Sequence, residues 1–575
     1  MTSGDAGSSS RNTASTGEIR SWRSIVTLIV FVLTNIIVLF PFHVPIPVPV
    51  ALRDGVLKAL AALRIIAPRQ ATSSNRRSSN NMVWMRFPVN FLTAPLIADL
   101  FLLAILAIGR QEVHDGTVGA DNISPLDIMA FFLSLAYIAI SIDASGLIRY
   151  LAFRVLQWGG KVGHRLFFYL YAFFFVLTAF IGNDPVILSG TAFLAYMTRV
   201  SSNILHPRAW IYTQFTVANM ASAILVSSNP TNLVLAGAFN IKFINYTANI
   251  IVPVVITAVV LFPFLLYIVF ADESLIPVSI KMHELPEEVR NKKPINPNIP
   301  NARANMEEQE DEHLNDEAGQ LLSLEEIMNP FLDKKGAAFG GIIMAATLIA
   351  VLALNASSSA SGEHPVFWVT VPAAVILIVF DLALGWLNRK ETREIARQNR
   401  EEFETSHAEK QHQNQLQPIN ESPSTAASET EPSPITEGES DEEKPPQQAS
   451  APKVTEKSSN QVPKLEEGKN KSPSRPTTLS SLVVGLWRWA QETFPTSTTV
   501  LAHLPLALIP FAFCMFILVQ ALVSRGWILV FAHGWDHWVS KTGTVGAVGG
   551  MAFLSVILCN VSQTQIPLVR RANVI

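Results

Sequence analysis

A chain of 575 residues that is 49% hydrophobic and only 15% charged, with a mean hydropathy of +0.30, is too apolar for a string of soluble domains and fits a polytopic membrane protein. Its net charge of −3 and the lack of a basic stripe interleaved with aromatics exclude a nucleic-acid-binding surface. Two cysteines, Cys514 and Cys559, both in apolar surroundings, support neither a disulfide framework nor a zinc cluster, and no resident metal is expected.

Residues 1–21 read as a disordered Ser/Gly-rich tail without a cleavable leader. Ser24–Phe42 is a first span. The following stretch, VPIPVPVALRDGVLKALAALRIIAP, reads either as an interfacial segment or as a further pass. Leu92–Gly109 and Ile128–Ile142 are expected to span, and the latter runs into SIDASG. Asp143 there is a functional candidate, because a carboxylate at the membrane edge is costly unless it faces water or a partner; the plainer alternative is a helix end. Arg149, Arg154, Lys161 and Arg165 then make a basic loop that the positive-inside rule assigns to the cytoplasm.

Leu166–Thr198 carries one charged residue, Asp184, in AFIGNDPVILSGTAF, and arginines flank both ends. Its 33 residues are too few for two complete spans, so a hairpin that enters from the cytoplasm and turns at Gly182–Pro185 is expected. Ala209–Ile241 has no Asp, Glu, Lys or Arg, yet its middle reads SSNPTN, Ser227–Asn232. In hydrocarbon every backbone N–H and C=O needs a partner, so an unwound turn is tolerated only where it is buried in protein or lines a wet cavity. Carriers build solute sites in this way, with half-helix ends and freed carbonyls facing the ligand. A Pro-kinked helix with satisfied hydroxyls is the alternative.

Asn249–Phe270 returns across the bilayer, and residues 272–336 form a polar linker. Ala337–Leu354 and Pro365–Leu387 are spans. Acceptor sequons at Asn245 and Asn355 fall on the same expected outer face. Residues 388–480, with no aromatic between Glu404 and Ser480, cannot bury enough apolar surface to offset their ordering entropy and are expected to be disordered. Residues 481–494 read as an interfacial amphipathic piece anchored by Trp487 and Trp489. Leu504–Val523 spans, and 545–566 begins another polar-interrupted helix.

The motifs AFIGNDPVILSGTAF and ILVSSNPTNLVLAGAF resemble the ion transporter superfamily of secondary carriers, which includes arsenite efflux pumps, sodium/proton antiporters and citrate-type transporters. The resemblance runs from about Ser24 onward and excludes both linkers. It implies an all-α polytopic membrane protein of inverted repeats with re-entrant hairpins and broken helices. The first repeat is 22–271; the second is 337–387 continued by 481–575; both linkers, 272–336 and 388–480, are cytoplasmic. Gly182, Asn183, Asp184, Ser228, Asn229, Thr231 and Asn232 would line the first half of a solute and cation site, with Cys559, Asn560, Ser562 and Thr564 at the second hairpin. Na+ or H+ would be the coupling cation, through Asp184, with Asp143 as a further candidate carboxylate. The implied partners are the lipid bilayer, a small inorganic or organic ion and a second copy in a homodimer, with no cofactor. The family continues beyond the second polar motif, whereas this sequence reads QTQIPLVRRANVI. The second repeat is therefore expected to be incomplete, as from a misread gene end.

The leading expectation is a secondary active carrier of a small ion. No Arg or Lys falls at the expected core to grip a dicarboxylate, which favours cation-coupled or metalloid or anion efflux over citrate, although helix N-termini bind anions without Lys. A non-transporting scaffold or receptor derived from a truncated carrier is the alternative, suggested by the short end and the long linkers. An intramembrane aspartyl protease using Asp143 and Asp184 is a remote one, since the sequence around GND lacks the expected glycine-flanked signature and SSNPTN has no task in it. His503, His533 and His537 are read as satisfied interfacial histidines.

Overall fold

The structure, a computed structural model, describes residues 19–67, 82–120, 123–201, 204, 206–239, 241–281, 294–300, 329–357, 366–416 and 478–563. The expected tail up to residue 18, most of the first linker, the second linker beyond Leu416, the loop after Ser357 and Thr564 lie outside them. So do the side chains of Cys559, Asn560 and Ser562.

Helix α1 (Trp22–Leu39) is capped by Ser21, whose Oγ accepts the Ser24 N–H. The ambiguous stretch after it is neither a pass nor a plain interfacial helix. Strand β1 (Phe42–Pro49) pairs antiparallel with β2 (Met82–Val89) around the short helix α2 (Val50–Ala62). Pro45, Pro47 and Pro49 of β1 and Pro88 of β2 all fall in one class of facing pair, Pro88 lying opposite His43. Antiparallel pairs alternate between hydrogen-bonded and non-hydrogen-bonded, and proline can occupy only the second kind. The period-two prolines therefore permit the ladder and leave β1's outer edge poor in donors.

Leu92–Gly109 proves shorter than a span: α3 (Thr93–Ala104) is about 18 Å long. It stops at Leu106, which takes a left-handed φ of 56° so that the Ala107 N–H returns to the Leu102 carbonyl. Helix α4 (Arg110–Thr117) follows, and the Asp115 carboxyl on it is held below its ordinary range by hydrogen bonds from Gln111 and then His114.

Helix α5 (Pro125–Ala144) starts with proline at a position whose N–H has no helical partner and ends where Gly146, φ 83°, bonds back to the Asp143 carbonyl. Then come α6 (Leu147–Gly159), α7 (Gly163–Ile181), α8 (Asn183–Val200), α9 (Arg208–Ala221), a 3₁₀ turn (Val226–Ser228), α10 (Pro230–Ala238) and α11 (Phe243–Phe264), which runs into a π-turn at Leu265–Val269. Helix α7 takes in His164 and Arg165 and reaches about 28 Å, close to the bilayer core of about 30 Å. The turn at Gly182 thus joins helices of nearly full depth.

Helix α12 (Lys334–Ser357) is followed by α13 (Phe367–Leu416), which continues far past the expected span end at Leu387. The start of the second linker is therefore helical. Arg397 pairs with Glu401 one turn on, and Arg393 donates to Thr493 Oγ1 at 2.7 and 3.1 Å on α14 (Leu479–Thr493). Arg400 also bonds Glu492, and Ala396 is buried between these contacts. Helices α15 (Pro495–His503), α16 (Leu508–Ser524) and α17 (Trp527–Gln563) complete the chain; α17 is interrupted at Gly543, φ 65°, ahead of the expected polar motif.

Seven helices among the described residues are long and apolar enough to cross a bilayer, and the only sheet described is the two-stranded hairpin. This is an integral, multi-pass, all-α architecture. The span window of α5 is 67% buried, against 17–39% in the other six, so α5 is the central helix. One core cluster joins α6 to α9 through Phe167, Phe174, Leu194 and Trp210. A second wraps α5 with α10, α12, α13 and α15 through Ile138, Ile142, Leu377 and Val500. A third joins α1 and α3 to α16 through Leu102, Ile517 and Leu518 and covers Asp99, 4% exposed. Trp527 there donates to the Ser24 carbonyl, and Arg525 to the Ala107 carbonyl. The N-terminal helices of the expected first repeat thus pack on the C-terminal part of the chain. Apolar side chains such as Val259, Val260, Ile342 and Ile349 point outward, as a lipid-facing surface requires.

Candidate functional site

Two helix interruptions meet beside α5. The first is Gly182, whose φ of 99° and ψ of 167° end α7 while its N–H still bonds the Thr178 carbonyl. Helix α8 restarts at once, with Asn183 and Asp184 in its first turn and Pro185 where a missing N–H costs nothing. The second is the unwound stretch between α9 and α10. Asn229 caps α10 by accepting the Thr231 N–H at 2.9 Å, and Pro230 opens the helix. Asn232, buried behind the break, donates to the Ser222 and Leu225 carbonyls at 2.8 and 3.0 Å, satisfying groups that unwinding sets free.

Ser228 Oγ ties the breaks together by donating to the Ala179 carbonyl at 2.7 Å. A Cβ at Gly182 would stand 3.0 Å from the Ser228 carbonyl oxygen, so both the backbone angle and the close approach require glycine. The two breaks enclose a cavity of about 110 Å³ lined by Gly182, Asn183, Asp184, Ser227, Ser228 and Asn229. Phe132, Ala136, Ala139 and Ile140 of α5 form its apolar wall, and His503 and Pro505 close one side. Among the described residues no Lys or Arg lines it. Asp184 sits in the first turn of α8, where the helix dipole favours negative charge. Among the described residues no group of three or more His, Cys, Asp or Glu can hold a metal ion.

A family model described as citrate transporter matches residues 82–569. The chain belongs to the citrate transporter family. The match takes in every site element and begins at β2, and it agrees with the resemblance carried by the GND and SSNPTN motifs. The chain is also similar to the arsenical pump membrane protein of Escherichia coli, 26% identical over 185 residues, which are 32% of this chain and 42% of the pump. It is 23% identical over 192 residues to the arsenical pump membrane protein of Yersinia enterocolitica, 32% of this chain and 43% of that protein. The matched stretch spans less than half the length of these curated relatives.

Within this citrate transporter family chain, Gly182, Asn183, Asp184, Ser228 and Asn229 come together around the cavity, as the sequence motifs suggest. Thr231 is exposed in the first turn of α10 and Asn232 is occupied with carbonyls, so neither lines it. Asp143 is not in the lining either. Its Oδ1 is buried without a hydrogen-bond partner among the described residues, with Ser189, Arg149 and His503 nearby. The two carboxylates therefore do not share one pocket, as a protease dyad would. Asn560 belongs to the α17 backbone.

Three residues were not assigned to a site from the sequence, and His503 among them was read as an interfacial histidine. Ser227 lines the cavity inside the recognised motif. The ring of His503 lines it while its Nδ1 bonds the Thr499 carbonyl at 2.8 Å, a place no local pattern announces. Asp381 lies inside a span, which is itself a signal of function.

Proposed function

We propose that this chain is a secondary active carrier of a small ion and that the cavity between the two helix breaks is its solute site. The observation that carries the reading is the meeting of Gly182 and Ser228 beside α5, within a bundle of span-length helices. Irregular backbone at that depth lines a cavity bearing a carboxylate, two Asn side chains and the starts of two helices. The cavity, about 110 Å³, is lined by this one carboxylate among otherwise neutral groups. A lining without Lys or Arg among the described residues suits a small inorganic ion such as arsenite better than citrate. Asp184 supplies the charge beside the solute, Asn183, Ser228 and Asn229 supply neutral dipoles, and Na+ or H+ is the coupling cation. Asn232 and Thr231 position the break, and Asp143 acts on the site from behind α8. Movement of the helix breaks against the remaining helices would give alternating access.

The test is flux of arsenite, silicate, citrate, sodium and protons into liposomes containing the 575-residue chain. One solute should be moved by the wild type and lost in Asp184→Asn. Folded wild-type protein that moves none of them would sink the carrier reading in favour of a scaffold or receptor.

A further inference from the structure

Helix α5 presents one apolar face and one that bears hydroxyls. Its wall of Phe132, Ala136, Ala139 and Ile140 closes the solute cavity, while Ser134, Tyr137, Ser141 and Ser145, spaced three and four apart, form a hydroxyl stripe along another face. That stripe meets α13. Ser134 Oγ donates to Thr370 Oγ1 at 2.7 Å. One oxygen of Asp381, Oδ2, accepts from Tyr137 Oη at 3.0 Å and from Ser141 Oγ at 2.8 Å. Its other oxygen has no hydrogen-bond partner among the described residues.

Asp381 is 5% exposed, yet together with Ser141 and Ser145 it borders a second cavity of about 570 Å³, roomy enough for water. Asp333, Lys334 and Lys335 at the start of α12 and Glu391 farther along α13 form its charged rim. Among the described residues, these and Tyr137 are the titratable groups around Asp381. The α14–α15 junction contributes Phe494, Pro495 and Thr496, which bear no charge. A carboxylate inside a span is expensive and marks ion or proton pathways. This one has a held oxygen, a free oxygen and water-sized access from the end of the bundle where the linkers leave.

Building on the carrier reading, we propose that Asp381 is the group that binds the coupling proton, exchanging it with water in this second cavity. A hydronium ion in the cavity gives its proton to the free oxygen of Asp381, leaving water and the neutral acid; release reverses the step. Ionised Asp381 holds Tyr137 and Ser141 by charge-assisted hydrogen bonds, which are about twice as strong as neutral ones. Protonation therefore loosens α5 from α13. Because α5 is also a wall of the solute cavity, the proton biases which arrangement of that cavity is populated.

Two measurements decide it. In proteoliposomes with arsenite as the probe and a pH dye inside, Asp381→Asn should keep arsenite exchange without a gradient and lose both proton movement and gradient-driven accumulation. Proton movement that survives in Asp381→Asn overturns the proposal, as does accumulation driven by sodium alone or a simultaneous loss of exchange. Infrared difference spectroscopy of the purified full chain needs no solute. A carboxylic-acid band should titrate with pH in the wild type, vanish in Asp381→Asn and move its midpoint in Ser141→Ala, which keeps the carboxylate should the Asn variant misfold. A wild type that moves no arsenite but shows this band overturns arsenite transport and leaves Asp381 a proton site. The absence of a titrating band, or an unmoved midpoint in Ser141→Ala, overturns the proton site itself.

Discussion

Replacing Gly182 with alanine tests the joint on which the cavity depends. Its φ of 99° and ψ of 167° lie where only glycine is at ease, so alanine held there costs about 1–3 kcal/mol. The new Cβ would also stand 3.0 Å from the Ser228 carbonyl. That carbonyl cannot yield freely, because the Ser228 hydroxyl is bonded to the Ala179 carbonyl at 2.7 Å, a bond worth about 1 kcal/mol. Together the penalty is about 2–4 kcal/mol. The easiest escape is for residue 182 to adopt helical angles and fuse α7 with α8, which re-aims Asn183 and Asp184. The assay is thermal melting of the purified protein by tryptophan fluorescence, with amide exchange read at residues 183 and 184. Gly341→Ala is the control, since a Cβ there, inside α12, meets nothing within 4 Å and should stabilise by about 0.5–1 kcal/mol. If Gly182→Ala melts like that control and keeps wild-type exchange at 183 and 184, the joint is not held by Gly182 and the reasoning fails.

Asn232→Ala leaves the Ser222 and Leu225 carbonyls without their buried donor and should cost about 1–3 kcal/mol, with faster amide exchange between 222 and 229. Asn232→Asp, of nearly the same shape but lacking the amide donor, should do the same, and a silent Asp variant would show that shape alone matters there. At the exit of α11, Asp272 accepts the Ser274 N–H at 2.8 Å, and this bond, then the Ser274 hydroxyl, holds its carboxyl below the usual value. A lowered folded value means that the turn's extra stability is present above the ordinary carboxylate pKa of about 4 and is lost as pH falls through the folded value. Protection of the Ser274 amide should therefore fall in acid in the wild type and be indifferent to pH in Asp272→Ala.

The site motifs were legible because both violate a rule of the bilayer. Charge-poor runs interrupted by GND and SSNPTN cannot be continuous helix, and the structure puts the two interruptions in contact. Most spans were legible by length and composition, but α7 was missed because it takes in His164 and Arg165, and Leu106 takes a left-handed turn without the glycine that would announce it, while the Arg525 guanidinium that bonds the Ala107 carbonyl comes from 418 residues away. The hairpin was hidden by its prolines, which argue against a strand until a partner places them all at non-bonded sites. The helical start of the second linker escaped because composition speaks for a whole segment, whereas Arg393, Arg397 and Arg400 act locally, two of them on α14. Asp381 and Tyr137 lie 244 positions apart, so neither local pattern announces that they meet.

The packing of α1 and α3 on α16 also sets a schedule for synthesis. Arg525 emerges 418 residues after Ala107, and Trp527 503 residues after Ser24. At 5–20 residues per second the earlier helices wait roughly 20–100 s for the partner that covers them. During that interval α3, too short to cross a bilayer alone and carrying Asp99, has neither the Arg525 bond at its end nor the α16 surface over its carboxylate. The nascent chain is thus most exposed to quality control at its beginning, and lesions in α16 should be felt first as degradation of N-terminal segments that are themselves unaltered.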